Sequence, residues 1–295
     1  MLFADGGVSS VVRKVENGIV TVEILNDGKL GNKKNMCLPG VHIDLPTIGE
    51  YDMLDIVDFG LKNKVDYIAV SFSRTREDLV KLREYICAKD PVHGPNIHLI
   101  SKIENHEAII NIEEVIDGSD GIMVARGDLG MELPLEKVVL AQKYIMDMTI
   151  NHGKYVVCAT QMLESMEQKP RPTRAEVSDI TNAVLDLTDA TMTSGETTMG
   201  KFPVDAIRTL RQVAIPTVRY RKRPSFSAPT SASLSTRSGT CQLIGRRWVQ
   251  LPSPSRSLPI SSSSKLTTSS SSVAFLVSAR GPTSASSLTP PTSRT

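Results

Sequence analysis

Residues 8–26 alternate apolar and polar side chains and turn at Glu16-Asn17-Gly18, the pattern of a β-hairpin. A basic loop follows over residues 31–35, and Pro39-Gly40 and Leu45-Pro46 mark a boundary. Beyond it the period changes. Short apolar runs at 65–72, 97–104, 121–129, 155–160 and 190–194 predict strands. The segments near 47–62, 75–88, 106–116, 135–151, 173–186 and 204–213 predict helices. In the fourth of these, Leu135, Val138, Val139, Gln142 and Ile145 fall on one side, an apolar stripe broken only by Gln142. The fifth carries a start signal: Pro172, then Thr173 with Glu176 three residues on, a capping box. Repeated strand–helix units imply an α/β fold with a parallel sheet and outer helices, either doubly wound or closed as a barrel.

After Val213 the pattern fails. Residues 214–295 hold 22 serines and 11 basic residues but no Asp or Glu, a net of +11. Residues 1–213 hold all 32 acidic residues and 23 basic ones, a net of −9. The near-neutral total therefore hides two unlike segments. A tail of this composition cannot bury enough apolar area to offset its chain entropy, so it is expected to be disordered or never selected to fold. The expected division is a small β region over 1–40, an α/β domain over 41–213 and the tail over 214–295. Cys37, Cys87, Cys158 and Cys241 are widely spaced, which disfavours a disulfide framework or zinc knuckle and fits a reducing cytosol. No secretory leader, transmembrane run or peroxisomal address is visible, so a cytoplasmic location is expected.

The chemistry gathers at strand ends. Alternation puts Lys102 and Glu104 on one face of their strand with Ile103 on the other. The next predicted strand runs through 129, and Arg126 and Asp128 share a face in the same way. One ammonium, one guanidinium and two carboxylates would then surround one spot, suited to a divalent cation and a phosphorylated anion. Glu104 and Asp128 are hard oxygen ligands of the number Mg²⁺ commonly takes from protein. Gly127 and Gly130 would let backbone N–H groups approach an anion. Thr160, Ser194 and Glu196 close the following strands, where a parallel barrel binds its ligands. Glu107 and Asp120 read as capping residues. His106 reads as a neighbour of a cap at Asn105, Cys158 as a buried small hydrophobe, and Met162 and Met166 as packing residues.

Residues 97–109 resemble the active-site signature of the pyruvate kinase family. Met-Val-Ala-Arg-Gly-Asp-Leu-Gly at 123–130, Cys-Ala-Thr-Gln-Met-Leu-Glu-Ser at 158–165, Arg-Pro-Thr-Arg-Ala-Glu at 171–176 and Ser-Gly-Glu at 194–196 resemble its further blocks, in order and at matching spacing. Leu-Gly-Asn-Lys-Lys at 30–34 with Leu-Pro-Gly at 38–40 resembles the return from its small β-barrel B domain. The likeness covers residues 1–213. It implies the last five strands of an eight-stranded (β/α) TIM-type barrel, beside a B-domain remnant. It implies phosphoryl transfer from phosphoenolpyruvate to ADP, with Mg²⁺ or Mn²⁺ and K⁺, in a family of homotetramers. Lys102 would neutralise the phosphoryl group in flight and the developing enolate. Glu104 and Asp128 would hold the divalent ion. The backbone around Ala125, Arg126, Gly127 and Asp128 would receive the substrate carboxylate at a helix N-terminus. Thr160 would lie near the enolate carbon and with Ser194 join its protonation relay. Ser71, Phe72 and Arg74 would line the pocket. Lys34 matches a nucleotide-side lysine, or is merely solvated in its basic loop.

The chain departs from the family pattern. Ala4-Asp5-Gly6 already aligns inside the B domain, so the first barrel strands, the K⁺ ligands and an early arginine are not represented. The likeness stops near Val213, a boundary that a reading-frame shift or mispredicted exon would give. Asn35 and Cys37 replace the usual Gly and Asn, and Thr193 replaces a Leu, which predicts a buried, unpaired hydroxyl. An open sheet would expose edges and apolar surface, so the isolated chain is expected to fold poorly or aggregate and its activity to be impaired. Two alternatives stand beside an enzyme of this family: a non-catalytic fragment that binds an intact paralogue, and another Mg²⁺-dependent barrel enzyme acting on phosphoenolpyruvate or pyruvate. Few aromatics accompany the tail's arginines, which disfavours nucleic-acid binding.

Overall fold

The computed structural model describes residues 1–221, except Asp5, Lys33, His42 and Asp44, together with the backbone of Val273–Leu276. The first strands are β1 (Leu2–Phe3), β2 (Val8–Glu16), β3 (Ile19–Ile24) and β4 (Met36–Cys37), an antiparallel sheet in the order β3-β2-β1-β4. The predicted hairpin is β2–β3. Glu16 pairs with Ile19, leaving Asn17 and Gly18 as the turn, with φ of 50° and 75°. Positive φ at both positions is what an Asn-Gly type I′ turn requires. Cys37 ties this sheet to the rest of the chain: its thiol donates to Glu132 Oε1 over 2.8 Å. Burial and the neighbouring Glu132 push that thiol's pKa up to about 12, so it is a weak nucleophile.

Next comes α1 (Glu50–Asp55), which runs into a π-helical turn over Ile56–Leu61. The alternation then proceeds through β5 (Tyr67–Val70), α2 (Arg76–Lys89), β6 (His98–Ile103), α3 (His106–Ile110) and α4 (Ile112–Gly118). It continues with β7 (Gly121–Ala125), α5 (Arg126–Glu132), α6 (Leu135–Asn151), β8 (Tyr155–Ala159) and α7 (Arg174–Leu185). It ends with β9 (Ala190–Met192), α8 (Gly195–Thr198) and α9 (Pro203–Arg221). Strands β5 to β9 are parallel and adjacent in chain order, as the repeated units required.

Both faces of this sheet are buried, which is why its strands read as nearly continuous apolar runs. One face sends Ile68, Val70, Leu99, Ile103, Ile122, Val124 and Val156 into a core shared with Leu79, Leu82 and Ile86 of α2 and Ile112, Val115 and Ile116 of α4. The other face gathers Ala69, Ile100, Met123, Val157 and Ala159. None of these five is more than 5% exposed, so the bare surface expected of an open sheet is not found on them. The hairpin does expose apolar residues, at Val11, Val12, Val15, Ile19, Val20 and Ile24.

Local signals hold where they are strongest. Thr173 caps α7: its hydroxyl accepts from Glu176 N–H, while Glu176 Oε2 accepts from Thr173 N–H over 2.6 Å. Asn105 caps α3 by accepting from Ala108 N–H. Asp120, expected to cap a helix, instead accepts from Leu99 N–H (2.7 Å) and pairs with Arg83, anchoring the start of β6. The expected stripe of α6 is rotated. Val138, Gln142, Ile145, Met146 and Thr149 face inward, whereas Leu135 and Val139 are exposed.

The tail differs from expectation where it is described. Helix α9 continues past Val213 to Arg221, through Pro216, and places Arg219 and Arg221 in its last turn, the end that favours cations. Val273–Leu276 forms a further strand, β10, antiparallel to β5. Val-Ala-Phe-Leu is a β-capable run, and the outer edge of β5 offers unpaired backbone groups. The expected disorder of the remaining tail falls on 222–272 and 277–295, outside the described residues.

Lys154 closes α4. Its ammonium donates to Ile116 O (2.5 Å), Asp117 O (3.1 Å) and Ser119 O (2.6 Å), three carbonyls at the helix C-terminus. Lys154→Ala is expected to lower stability by about 1–3 kcal/mol. Urea unfolding monitored by circular dichroism checks this, and an unchanged midpoint would mean the carbonyls are equally well solvated without the lysine.

Candidate active site

Strand β6 delivers the first groups. Lys102 shares the face of Ile100, while Ile103 points into the opposite core. Lys102 Nζ donates to Ser71 Oγ, just beyond β5, over 2.9 Å and lies 2.5 Å from Glu104 Oε1. Glu104 is fully buried. Its Oε2 accepts from Phe72 N–H (2.7 Å), which pins Phe72 in a left-handed conformation, φ 50°. Its Oε1 has no hydrogen bond of adequate geometry despite the nearby ammonium. Burial pushes the Glu104 pKa up, Lys102 pulls it down and Asp128 pushes it up again, with a net rise.

A buried carboxylate oxygen without a hydrogen bond, in the field of a second carboxylate, fits a hard divalent cation. Glu104 and Asp128 are the candidates to hold one. Among the described residues no group of three or more His, Cys, Asp and Glu is assembled. Two carboxylates could serve an ion that completes its shell with water and substrate oxygens, as Mg²⁺ does.

The next strand end departs from the sequence reading. Strand β7 stops at Ala125, and Arg126, Gly127 and Asp128 form the first turn of α5. Strand alternation no longer applies there, and Arg126 does not join Lys102 and Glu104. Its guanidinium is buried and fully engaged. Nη1 donates to Asp179 Oδ1 (2.7 Å) and Gln142 Oε1 (3.3 Å). Nη2 donates to Thr160 O (2.7 Å) and Met162 Sδ (3.0 Å). Nε is shared between Thr160 O (3.2 Å) and Ala159 O (3.3 Å). Burial is the largest single influence and works against the charge, but the Asp179 hydrogen bond and the surrounding negative charge, including Asp179 and Glu196, together outweigh it and the pKa is raised. Gln142 breaks the apolar stripe of α6 because it serves this guanidinium. That break was the only sequence signal of the network, and Asp179 gave none.

Thr160 lies within hydrogen-bonding reach of the α5 turn. Its Oγ1 accepts from Gly127 N–H and donates to Ala159 O, each over 2.7 Å. Ser194 precedes α8, and its N–H donates to Glu196 Oε2 (2.6 Å). Glu196 is 1% exposed, and its Oε1 accepts from Leu163 N–H (2.8 Å). It therefore ties the end of β9 to the segment after Thr160. Thr193, expected to bury an unpaired hydroxyl, is only half-buried and shares a 3.0 Å hydrogen bond with Thr197 Oγ1. Ser71 is buried and Phe72 partly exposed beside Glu104. The Arg74 guanidinium holds Ile43 O (2.6 Å) and Leu45 O. Lys34 is exposed in its loop. Cys158, Met162 and Met166 are fully buried, and burial pushes the Cys158 thiol up to about 11.

Comparison with known proteins gives this arrangement a lineage. Residues 1–207 match the family described as pyruvate kinase, barrel domain. The chain is 47% identical over 239 residues to a pyruvate kinase of Geobacillus stearothermophilus, covering 80% of this chain and 40% of that protein. It is 49% identical over 213 residues to one of Eimeria tenella, covering 72% and 39% respectively. A crystal structure of a pyruvate kinase from Cryptosporidium parvum superposes with a TM-score of 0.67 at 46% identity, over 73% of this chain and 45% of that one. The chain thus spans about 40% of the length of the curated relatives it matches. Over that span the likeness is far above chance, and the chain belongs to the pyruvate kinase family of phosphotransferases.

Proposed function

We propose that the chain carries the phosphoenolpyruvate side of a pyruvate kinase site, serving transfer of the phosphoryl group to ADP with formation of pyruvate and ATP. The observation that carries this reading is Lys102 Nζ set between Ser71 Oγ and the buried Glu104 carboxylate. Mg²⁺ or Mn²⁺ held by Glu104 and Asp128 would supply positive charge to the phosphoryl and carboxylate oxygens. Lys102, projecting from a rigid strand, neutralises charge as it shifts from phosphoryl group to enolate. Gly127 N–H, with the adjoining backbone of Ala125, Arg126 and Asp128, receives the substrate carboxylate, displacing Thr160 Oγ1. The Thr160 hydroxyl then holds a proton near the enolate carbon, and Ser194 extends the relay. Ser71, Phe72 and Arg74 form the adjoining wall, with Lys34 on the nucleotide side.

The same reading makes residues 1–40 a remnant of the B domain, 41–213 the last five strands of the barrel with their helices, and the location cytoplasmic. Some relatives are cytosolic isozymes, and among the described residues no helix is long and apolar enough to cross a membrane. K⁺ would bind outside these residues, and turnover by this chain alone would be impaired. A second reading, a fragment that associates with an intact paralogue, is favoured by one observation: the outer edge of β9 pairs with no strand among the described residues. Copurification of a full-length pyruvate kinase with the tagged chain would support it.

The test of the main reading is a lactate-dehydrogenase-coupled assay with phosphoenolpyruvate, ADP, Mg²⁺ and K⁺. Pyruvate formation is expected to fall by about a hundredfold or more in Lys102→Met, the scale of losing one transition-state charge partner. Formation no greater in the wild type than in Lys102→Met would overturn the reading.

A further inference from the structure

Thr160 and Gln161 both lie in the left-handed region, with φ of 69° and 53°. For a β-branched threonine this conformation is an outlier, and two in succession are not maintained by local preference. Such a turn persists only where its surroundings over-determine it. Here they do so at both ends of the turn. The planar guanidinium of Arg126 grips Thr160 O through both Nη2 and Nε, and Glu196 holds Leu163 N–H at the far end. All five donors of Arg126 have acceptors within the chain, so the side chain has none left for a ligand. What orients the fork is Asp179 on α7, bonded to Nη1 over 2.7 Å.

We propose that Asp179 is a positioning residue: through Arg126 it holds Thr160 in its left-handed turn and so fixes Thr160 Oγ1 against Gly127 N–H. Asp179 touches no reacting group. It lies on a helix behind the strand ends and acts at one remove. Without Asp179 the buried guanidinium would have no carboxylate bonded to it and would keep only the unbonded charge of Glu196, leaving it free to tilt off the Thr160 carbonyl. The turn would then relax towards the ordinary regions of backbone space, and Gly127 N–H would lose its acceptor. The purpose of this device rests on the phosphoryl-transfer reading above, but its existence is testable without substrate.

The test is amide hydrogen exchange of the full chain, read at Gly127 and at the β6 amides as an internal control. Asp179→Ala is expected to speed Gly127 exchange by about tenfold or more and leave β6 unchanged. Asp179→Asn keeps an acceptor for Nη1 and should give a smaller rise; it also serves if the alanine variant does not fold. Adding Gln161→Asn at that exposed position should recover part of the protection, because asparagine accepts the left-handed region far more readily. A pair that merely stabilised the fold would not respond to that change. Unchanged Gly127 exchange, or a rise shared equally by β6, would overturn the proposal. In the coupled assay the same variants should lower kcat more than they raise KM for phosphoenolpyruvate, with partial recovery by Gln161→Asn. A wild type that forms no pyruvate but shows the expected exchange pattern would support Asp179 as the positioning residue and overturn the phosphoryl-transfer reading alone.

Discussion

Glu104→Gln is expected to weaken Mn²⁺ binding by about a hundredfold or more while making the metal-free chain more stable at neutral pH. The two effects have one cause. Glu104 is fully buried, and desolvation raises its pKa in spite of Lys102. A raised carboxyl pKa means the folded state binds that proton more tightly than the unfolded state. Stability therefore falls as pH rises from the ordinary carboxylate range through the raised value. Glutamine carries no such penalty. It keeps an oxygen for Phe72 N–H, and Lys102 keeps Ser71 Oγ and partial solvent access. It cannot replace an anionic ligand of a hard cation. The checks are calorimetric titration with Mn²⁺ and thermal unfolding of the metal-free proteins at pH 5 and pH 7. The stability gain should be larger at pH 7, where more of the wild-type carboxyl is ionised. An unchanged Mn²⁺ affinity would remove Glu104 from the metal site, and a less stable variant at pH 7 would mean that Lys102 depends on its charge.

The features read correctly from sequence are those set by local rules. Asn17-Gly18 selects its turn by the φ values those two residues tolerate, and Thr173 and Glu176 form their box within one helical turn. Alternation around Lys102, Ile103 and Glu104 is equally local, because a strand has only two faces. The misreadings are non-local. Apolar alternation in Val-Ala-Arg-Gly-Asp-Leu does not announce that the strand period yields to a helix at Arg126; only the family resemblance implies a helix N-terminus there. Leu135 and Val139 match the apolar stripe of α6, yet which arc of that helix faces inward depends on the sheet beneath it. Asp179 gives no signal because its partner is distant in the chain. The pairing of β10 with β5 is likewise invisible in either segment alone.

Ile103→Ala is expected to lower stability by about 2–5 kcal/mol, the largest loss expected of any single truncation near the site. Ile103 is fully buried and belongs to the core formed with Ala108, Ile112 and Val115 of α3 and α4. It is flanked by Lys102 and Glu104, so the side chain that anchors this strand end lies between the two that act. Removing its outer carbons leaves a cavity that a paired central strand cannot collapse to fill: β6 is bonded to β5 on one side and β7 on the other. A loss of that size is a large share of the roughly 5–15 kcal/mol that stabilises a domain. Leu135→Ala is the matched control. Its side chain is 78% exposed, and its truncation should change stability by no more than about 0.5 kcal/mol. Urea unfolding separates the two, with a lower midpoint and unchanged slope for Ile103→Ala. Equal losses at the two positions would mean that α6 turns its Leu135 face inward after all and that the sheet does not carry the core described here.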